Sequence, residues 1–196
     1  MTRGTLIIMV KEPRAGRVKT RLGKDIGMTA SAWWFRHQVR RLLRRIVDPR
    51  WDVVLAVAPD HGGLLSRVWP SHIERIPQGQ GDLGDRMARA MRSVPKGPVC
   101  VIGADIPGVG PDQIARAFKT LGSSDAVFGP APDGGYWLVG LKRTHPMPPQ
   151  IFQNVRWSTE HALADTAASL RGLSVALVDQ LQDVDTIDDL AMTPPH

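Results

Sequence analysis

Three aspartates and one basic segment carry the chemistry legible in this chain. Asp105 stands just beyond the apolar run 98–103, in Gly-Ala-Asp-Ile-Pro. Asp183 and Asp185 stand beyond a second apolar run, 173–178, in Asp-Val-Asp-Thr. Ligands of α/β proteins bind outside the carboxyl ends of strands. Carboxylates delivered there by two strands suit a hard cation, Mg²⁺ or Mn²⁺, which accepts carboxylates together with substrate phosphates. Asp183 and Asp185 are two residues apart, so in an extended segment they project to one side. Asp185 is the favoured second ligand beside Asp105, with Asp183 next.

The basic counterpart is residues 11–22, Lys-Glu-Pro-Arg-Ala-Gly-Arg-Val-Lys-Thr-Arg-Leu. Lys11, Arg17, Lys19 and Arg21 neutralise phosphate charge, and Gly16 allows close backbone approach. Arg17, Lys19 and Arg21 alternate, so an extended loop aims them one way. The Walker spacing is absent, which excludes a P-loop. A long loop in a compact domain is usually functional or disordered.

Residues 79–84, Gly-Gln-Gly-Asp-Leu-Gly, form a literal G-x-G-x-x-G, with Asp105 about 20 residues on, where a dinucleotide fold keeps its ribose carboxylate. An NAD(P)-binding oxidoreductase is therefore an alternative. Against it, the preceding strand is polar and is not the first in the chain. Asp82 would also repel pyrophosphate while capping the next helix. Gln80, Gly81 and Asp82, with Gln78, instead offer contacts to a base or ribose.

Asp133-Gly134-Gly135 has hairpin-turn composition, but Tyr136 is the chain's single tyrosine and Trp137 follows it. Adjacent residues of a strand face opposite sides. One ring is expected in the core and the other beside the cleft, with Asp133 as acceptor contact or general base. Trp157-Ser158-Thr159 reads as a helix start capped by Ser158, whose amides could bind an anion.

These residues need elements to hold them. Strands are expected at 5–10, 51–58, 72–77, 98–103, 125–129, 136–141 and 173–178. Helices are expected at 29–47 (capped by Thr29 or Ser31), 64–68, 82–94, 111–121, 158–171 and 187–191, with a long loop at 11–28. Alternating strands and helices with near-continuous apolar strands argue a three-layer α/β/α sandwich around a largely parallel sheet. The chain's 196 residues suit one domain, 1–196. No run approaches the roughly 20 apolar residues of a membrane helix, and the N-terminal apolar run is too short for a signal peptide. The expectation is a cytoplasmic protein without membrane or nucleic-acid partners. Cys100, the one cysteine, reads as an inert core thiol.

Charge is unevenly spread. Residues 1–50 hold 13 Lys/Arg against 3 Asp/Glu, whereas residues 151–196 hold 2 against 7. A basic front half facing acidic residues from the other end suits a phosphorylated ligand and a metal.

Six stretches in order resemble one family nearly end to end. They are 11–22, 80–87, 103–107, 129–138, 157–159 and 183–190. The chain resembles the bacterial glycosyltransferase-A-like proteins formerly known as a domain of unknown function, within the nucleotide-diphospho-sugar transferase superfamily. Some members carry the label of arsenosugar-pathway glycosyltransferases. A more distant likeness is to 2-phospho-lactate guanylyltransferase. The resemblance implies a seven-stranded mixed sheet flanked by helices and a divalent metal held at Asp105 and Asp185. It implies a metal-dependent transferase taking a nucleoside triphosphate or nucleotide sugar and a small acceptor. Lys19, Asp105 and Asp133 are then the catalytic candidates. A non-catalytic nucleotide-binding protein is the other alternative. Oligomeric state, base and acceptor are not written in these residues.

Overall fold

Residues 5–10 form a strand because both of its faces are covered. Leu6, Ile8 and Val10 join one apolar cluster with Phe35, Val39, Leu42 and Ile114. Ile7 joins a second, with Met87, Ala90, Met91 and Phe128. A strand buried on both sides reads as a continuous apolar run. The computed structural model describes residues 3–192. In chain order its elements are β1 (Gly4–Lys11), α1 (Thr20–Ile26), α2 (Met28–Ile46), β2 (Trp51–Ala58), α3 (Asp60–Leu65), β3 (Glu74–Pro77) and α4 (Leu83–Ser93). Then come β4 (Val99–Ile102), α5 (Pro111–Thr120), β5 (Ala126–Pro130), β6 (Tyr136–Leu141), α6 (Ala162–Ala168), β7 (Val175–Leu177) and α7 (Ile187–Met192).

The seven strands lie in the order β3-β2-β1-β4-β6-β5-β7. Strand β6 runs antiparallel to both β4 and β5, while the other pairings are parallel. Helices α2 and α5 cover one face and α4 the other. The expected three-layer, mostly parallel α/β/α architecture is therefore present. Cys100 lies at 0% exposure in the first cluster, and burial pushes its thiol far up from the usual range. Among the described residues no helix is long and apolar enough to cross a membrane.

Several local expectations are corrected. The presumed loop 11–28 contains α1, which starts at Thr20 directly after Lys19 in a left-handed conformation. Neither Thr29 nor Ser31 caps α2. Gly27 holds that position at φ 92°, and Ser31 is buried, its hydroxyl donating to the Met28 carbonyl. A helix immediately upstream leaves no room for a side-chain cap, so a glycine breaks the two apart. The helix expected at 64–68 lies earlier, as α3. The helix expected at 158–171 is shorter: Ser158 sits at φ 60° and α6 starts after His161. Asp82 does cap α4, through a capping box with Asp85.

Candidate active site

Strands β1 and β4 are parallel neighbours, and the chain leaves β1 for β2 on the opposite side. Such a reversal opens a crevice at the carboxyl ends of the strands. Lys11 ends β1 there, and Asp105 follows β4 there. The acidic pair arrives from the far edge of the sheet. Beyond β7, the Val178 amide donates to Phe128 (2.9 Å), Leu181 to Pro130 (3.1 Å) and Val184 to the Asp105 carbonyl (3.2 Å). The Trp137 indole N–H holds the same segment through the Asp179 carbonyl at 2.8 Å. These bonds carry residues 178–185 back across β5 to the end of β4.

Asp105, Asp183 and Asp185 thereby each offer an oxygen within 4.8 Å of the others. The Asp185 backbone is fixed by α7: Asp189 accepts from the amides of Asp185 (3.0 Å) and Thr186 (2.8 Å). Its carboxylate stays turned to Lys19 Nζ (2.6 Å) and Arg21 (3.2 Å).

Lys19 is the unusual residue. At φ 46° and ψ 47° it adopts a backbone conformation that costs a non-glycine residue about 1–2 kcal/mol. In return its ammonium, on a side chain 6% exposed, bridges Asp105 and Asp185. Burial works to lower the Lys19 pKa, but Asp105 and then Asp185 outweigh it, and the net direction is up. Asp183 is pushed up to about 6, first by burial and then by the charges of Asp105 and Asp185, with Lys19 pulling back. Among the described residues no donor reaches the Asp183 carboxylate. One buried ammonium thus leaves an excess of negative charge on three converging carboxylates. That hard-oxygen donor set fits Mg²⁺ or Mn²⁺.

Two cavities meet at this cluster. The first, about 670 Å³, is lined by Lys11, Arg17, Lys19, Arg21 and Arg86, together with Gln78, Gly81, Asp82 and Phe35. The second, about 320 Å³, is lined by Asp133, Gly135, Tyr136, Trp157, Ser158, Thr159 and Asp183. Both take lining from Arg21, Asp105 and Asp185. Pockets of 300–1,000 Å³ suit small ligands and cofactors.

Of the residues expected to hold nucleotide, Lys11, Arg17, Lys19, Arg21, Gly81 and Asp82 line the first cavity, while Gly16 and Gln80 lie outside its wall. Gln78 is buried, its amide donating to the carbonyls of Val10 (3.1 Å) and Ala56 (2.8 Å), so it ties β1 and β2 to the loop. The Asp82 carboxylate accepts from the Asp85 amide (2.9 Å), occupying the helix start that a pyrophosphate would need in a dinucleotide fold. The Gly79–Gly84 turn also follows edge strand β3, not a central strand.

On the other side, Gly134 is a structural turn residue. It has φ 83°, and a Cβ there would collide with the Glu160 carbonyl oxygen. Asp133 accepts from the Gly135 amide at 2.9 Å, closing the turn. Tyr136 and Trp137 do face opposite sides: Trp137 joins the first apolar cluster and Tyr136 packs on the second, edge-on to Phe128 at 5.2 Å. Both residues line the second cavity. The Tyr136 phenol is pushed up by burial and meets Thr166 at 3.3 Å.

Arg86 and Phe35 were not singled out from the sequence. Arg86 lies four residues after Asp82, and that helical spacing could have revealed it. Phe35 carries no local signal, because only the packing of α2 on the sheet brings it to the cavity.

The family described as "Uncharacterized protein conserved in bacteria (DUF2064)" matches residues 42–159. No match was found among curated proteins. Among solved structures, a protein of Desulfovibrio desulfuricans G20, provisionally assigned as a nucleotide-diphospho-sugar transferase, superposes with a TM-score of 0.83 at 29% identity. The match covers 97% of this chain and 85% of that one. The 4-diphosphocytidyl-2C-methyl-D-erythritol synthase of Anaerococcus prevotii DSM 20548 shares the fold (TM-score 0.60, 10% identity, 97% and 95% coverage). So does the Rv0371c protein of Mycobacterium tuberculosis H37Rv in complex with manganese (TM-score 0.57, 18% identity, 97% and 96% coverage). The fold is thus one that nucleotide-using transferases also adopt.

Proposed function

The chain belongs to the DUF2064 family, and from that premise we propose that it is a divalent-metal-dependent transferase acting on an activated nucleotide. In this reading residues 1–196 work as one glycosyltransferase-A-like unit in the cytoplasm, on a nucleotide sugar or nucleoside triphosphate and a small-molecule acceptor. The observation that carries it is the meeting of two cavities at one carboxylate cluster. One cavity has the cations that a phosphate chain needs, and the other opens on the far side of the same aspartates. The manganese complex of a structure with this fold supports the choice of metal.

The chain's own residues divide the work. Lys11, Arg17, Arg21 and Arg86 neutralise and orient the phosphates, which keeps the reacting bond at the boundary between the cavities. Asp105 and Asp185, with Asp183, would hold the metal, and the bound cation supplies charge neutralisation at the departing phosphate oxygen. Lys19, already buried against Asp105 and Asp185, adds a fixed positive charge at that point. Asp133 lines the second cavity and would accept the proton of an attacking hydroxyl.

A thermal-shift panel tests the reading. Nucleoside triphosphates and nucleotide sugars should raise the unfolding midpoint, and more so with Mg²⁺ or Mn²⁺ present, by mass action on the folded state. Shifts that ignore the metal would remove the metal-dependent reading. A shift without any turnover across donors and acceptors would point to a binding protein.

A further inference from the structure

The acidic pair reaches Asp105 on a segment that is one residue out of step with the strand beside it. Strands β5 and β7 pair in parallel from Ala126 and Val175 to Phe128 and Leu177. The bonds of such a ladder are evenly spaced, so equal numbers of residues should advance on both sides. They do not. The Val178 amide donates to Phe128, and the next bond runs from the Leu181 amide to Pro130. Two residues advance along β5 while three advance along the segment after β7. One extra residue is the mark of a β-bulge.

A one-residue shift turns every following side chain of an extended chain to the other face. The bulge at 179–180 therefore decides what faces the cleft. Asp183 and Asp185 offer carboxylate oxygens to the cluster with Asp105, and Val184 between them is buried. Without the extra residue, Gln182 and Val184 would take the places of the two aspartates.

The bulge is held from outside the ladder. The Trp137 indole N–H donates to the Asp179 carbonyl at 2.8 Å. Trp137 stands on β6, beside the step in pairing between Gly129 and Pro130 of β5. Because β5 lies between β6 and β7, the ring must cross β5 to reach Asp179. It crosses at Gly129, where a Cβ would collide with the indole. On the outer side, Arg116 of α5 grips the Asp179 carboxylate through two bonds, of 2.8 and 3.0 Å. That ion pair is partly exposed and screened by solvent, so the bond from the buried indole is the firmer hold.

We propose that Trp137 is a positioning residue of the metal centre. Its N–H pins the bulge that turns Asp183 and Asp185 toward Asp105, Gly129 is the bare position that lets the ring cross, and Arg116 is the outer brace. This rests on the metal-dependent reading above.

Trp137→Phe keeps an aromatic ring and removes the donor. Trp69→Phe is the control: Trp69 is buried in the same apolar cluster, yet among the described residues its indole N–H has no acceptor. Mn²⁺ affinity of the whole protein is read by electron paramagnetic resonance, and amide exchange at Leu181 and Val184 by nuclear magnetic resonance. Trp137→Phe should weaken Mn²⁺ binding about tenfold, at the low end for groups that orient metal ligands, and should speed exchange at both amides. Trp69→Phe should do neither. Equal Mn²⁺ affinity in the two variants is what a merely structural tryptophan would give, and it overturns the proposal. Should Trp137→Phe not fold, Arg116→Gln takes its place: a loss of about threefold is expected, the scale of an exposed ion pair, and unchanged affinity overturns the proposal. Failure of the metal reading looks different, because the wild type itself would then bind no Mn²⁺. Amide exchange still decides the bulge in that case: faster exchange in Trp137→Phe alone upholds it, and equal exchange in both variants overturns it.

Discussion

The first cavity lies over the parallel neighbours β1 and β4 and draws most of its cations from one short stretch, residues 11–21. The second lies beside antiparallel β6 and is assembled from stretches near 83, 101, 135, 158 and 183. The first is basic and the second acidic, although both border on Asp105 and Asp185. A phosphate chain needs many cations in a row, and a loop after a strand supplies them from adjacent positions. The walls of the second cavity come from several stretches, and only distant segments brought together by the sheet can close them.

The largest expected effect is at the shared boundary. Asp105→Asn should lower turnover on the order of 10³-fold, about 4 kcal/mol, by removing a carboxylate from the cluster. Mn²⁺ titration followed by electron paramagnetic resonance should show the site weakened, with the circular dichroism spectrum unchanged. Retained Mn²⁺ affinity would mean that the cluster is not the metal site and that the cavities do not meet on a cation.

Next come the cations of the first cavity. Lys19→Ala and Arg21→Ala should each weaken triphosphate binding by about 1.5–3 kcal/mol, the usual worth of a charge-assisted contact. Monophosphate should lose less. Equal losses for both nucleotides in calorimetry would show that these side chains do not hold the terminal phosphates.

Asp133→Ala separates the two sides. Turnover should fall about 10²-fold, as expected for loss of a general base, while nucleotide affinity stays at the wild-type value. If both stay unchanged, Asp133 only closes the turn between β5 and β6.

Gly134→Ala is expected to act on stability. The added methyl would collide with the Glu160 backbone at φ 83°, so unfolding should cost about 1–3 kcal/mol less in denaturant titration. Gly16→Ala is the control and the smallest effect. Its φ is 73°, but nothing lies within 4 Å of the new Cβ, so about 1 kcal/mol of strain is the whole expectation. A loss of nucleotide binding in Gly16→Ala would place that turn against the phosphates after all.

Much of this architecture was legible without coordinates. The apolar runs 5–10, 51–58 and 136–141 correspond to β1, β2 and β6 because strands covered on both faces need apolar residues at nearly every position, with Asp52 an exposed exception near the start of β2. Asp82 as a helix cap followed from local backbone chemistry, which depends on few neighbours. Helix ends were less legible. The start of α2 is decided by packing: Ser31 is fully buried and Met28 lies against Gly23, so tertiary contact overrides the preference of Thr29 and Ser31 for a cap. Ser158 shows the same effect, held at φ 60° in the turn before α6.

What the sequence alone determined is the inventory and its order: a basic segment after the first strand, one aspartate after the fourth, and an acidic pair near the end. Those features are local, and the rules of strand ends and loops act over a few residues. The sequence already pointed to Asp105, Asp183 and Asp185 as one cluster; tertiary structure alone decided that the acidic pair reaches Asp105 by crossing the sheet, that Lys19 lies between two of these carboxylates, and that the charges split into a basic and an acidic cavity. Each depends on bonds between residues far apart in the chain, such as Val184 to Asp105 and Trp137 to Asp179. Their geometry exists only once the sheet order and the strand registers are set.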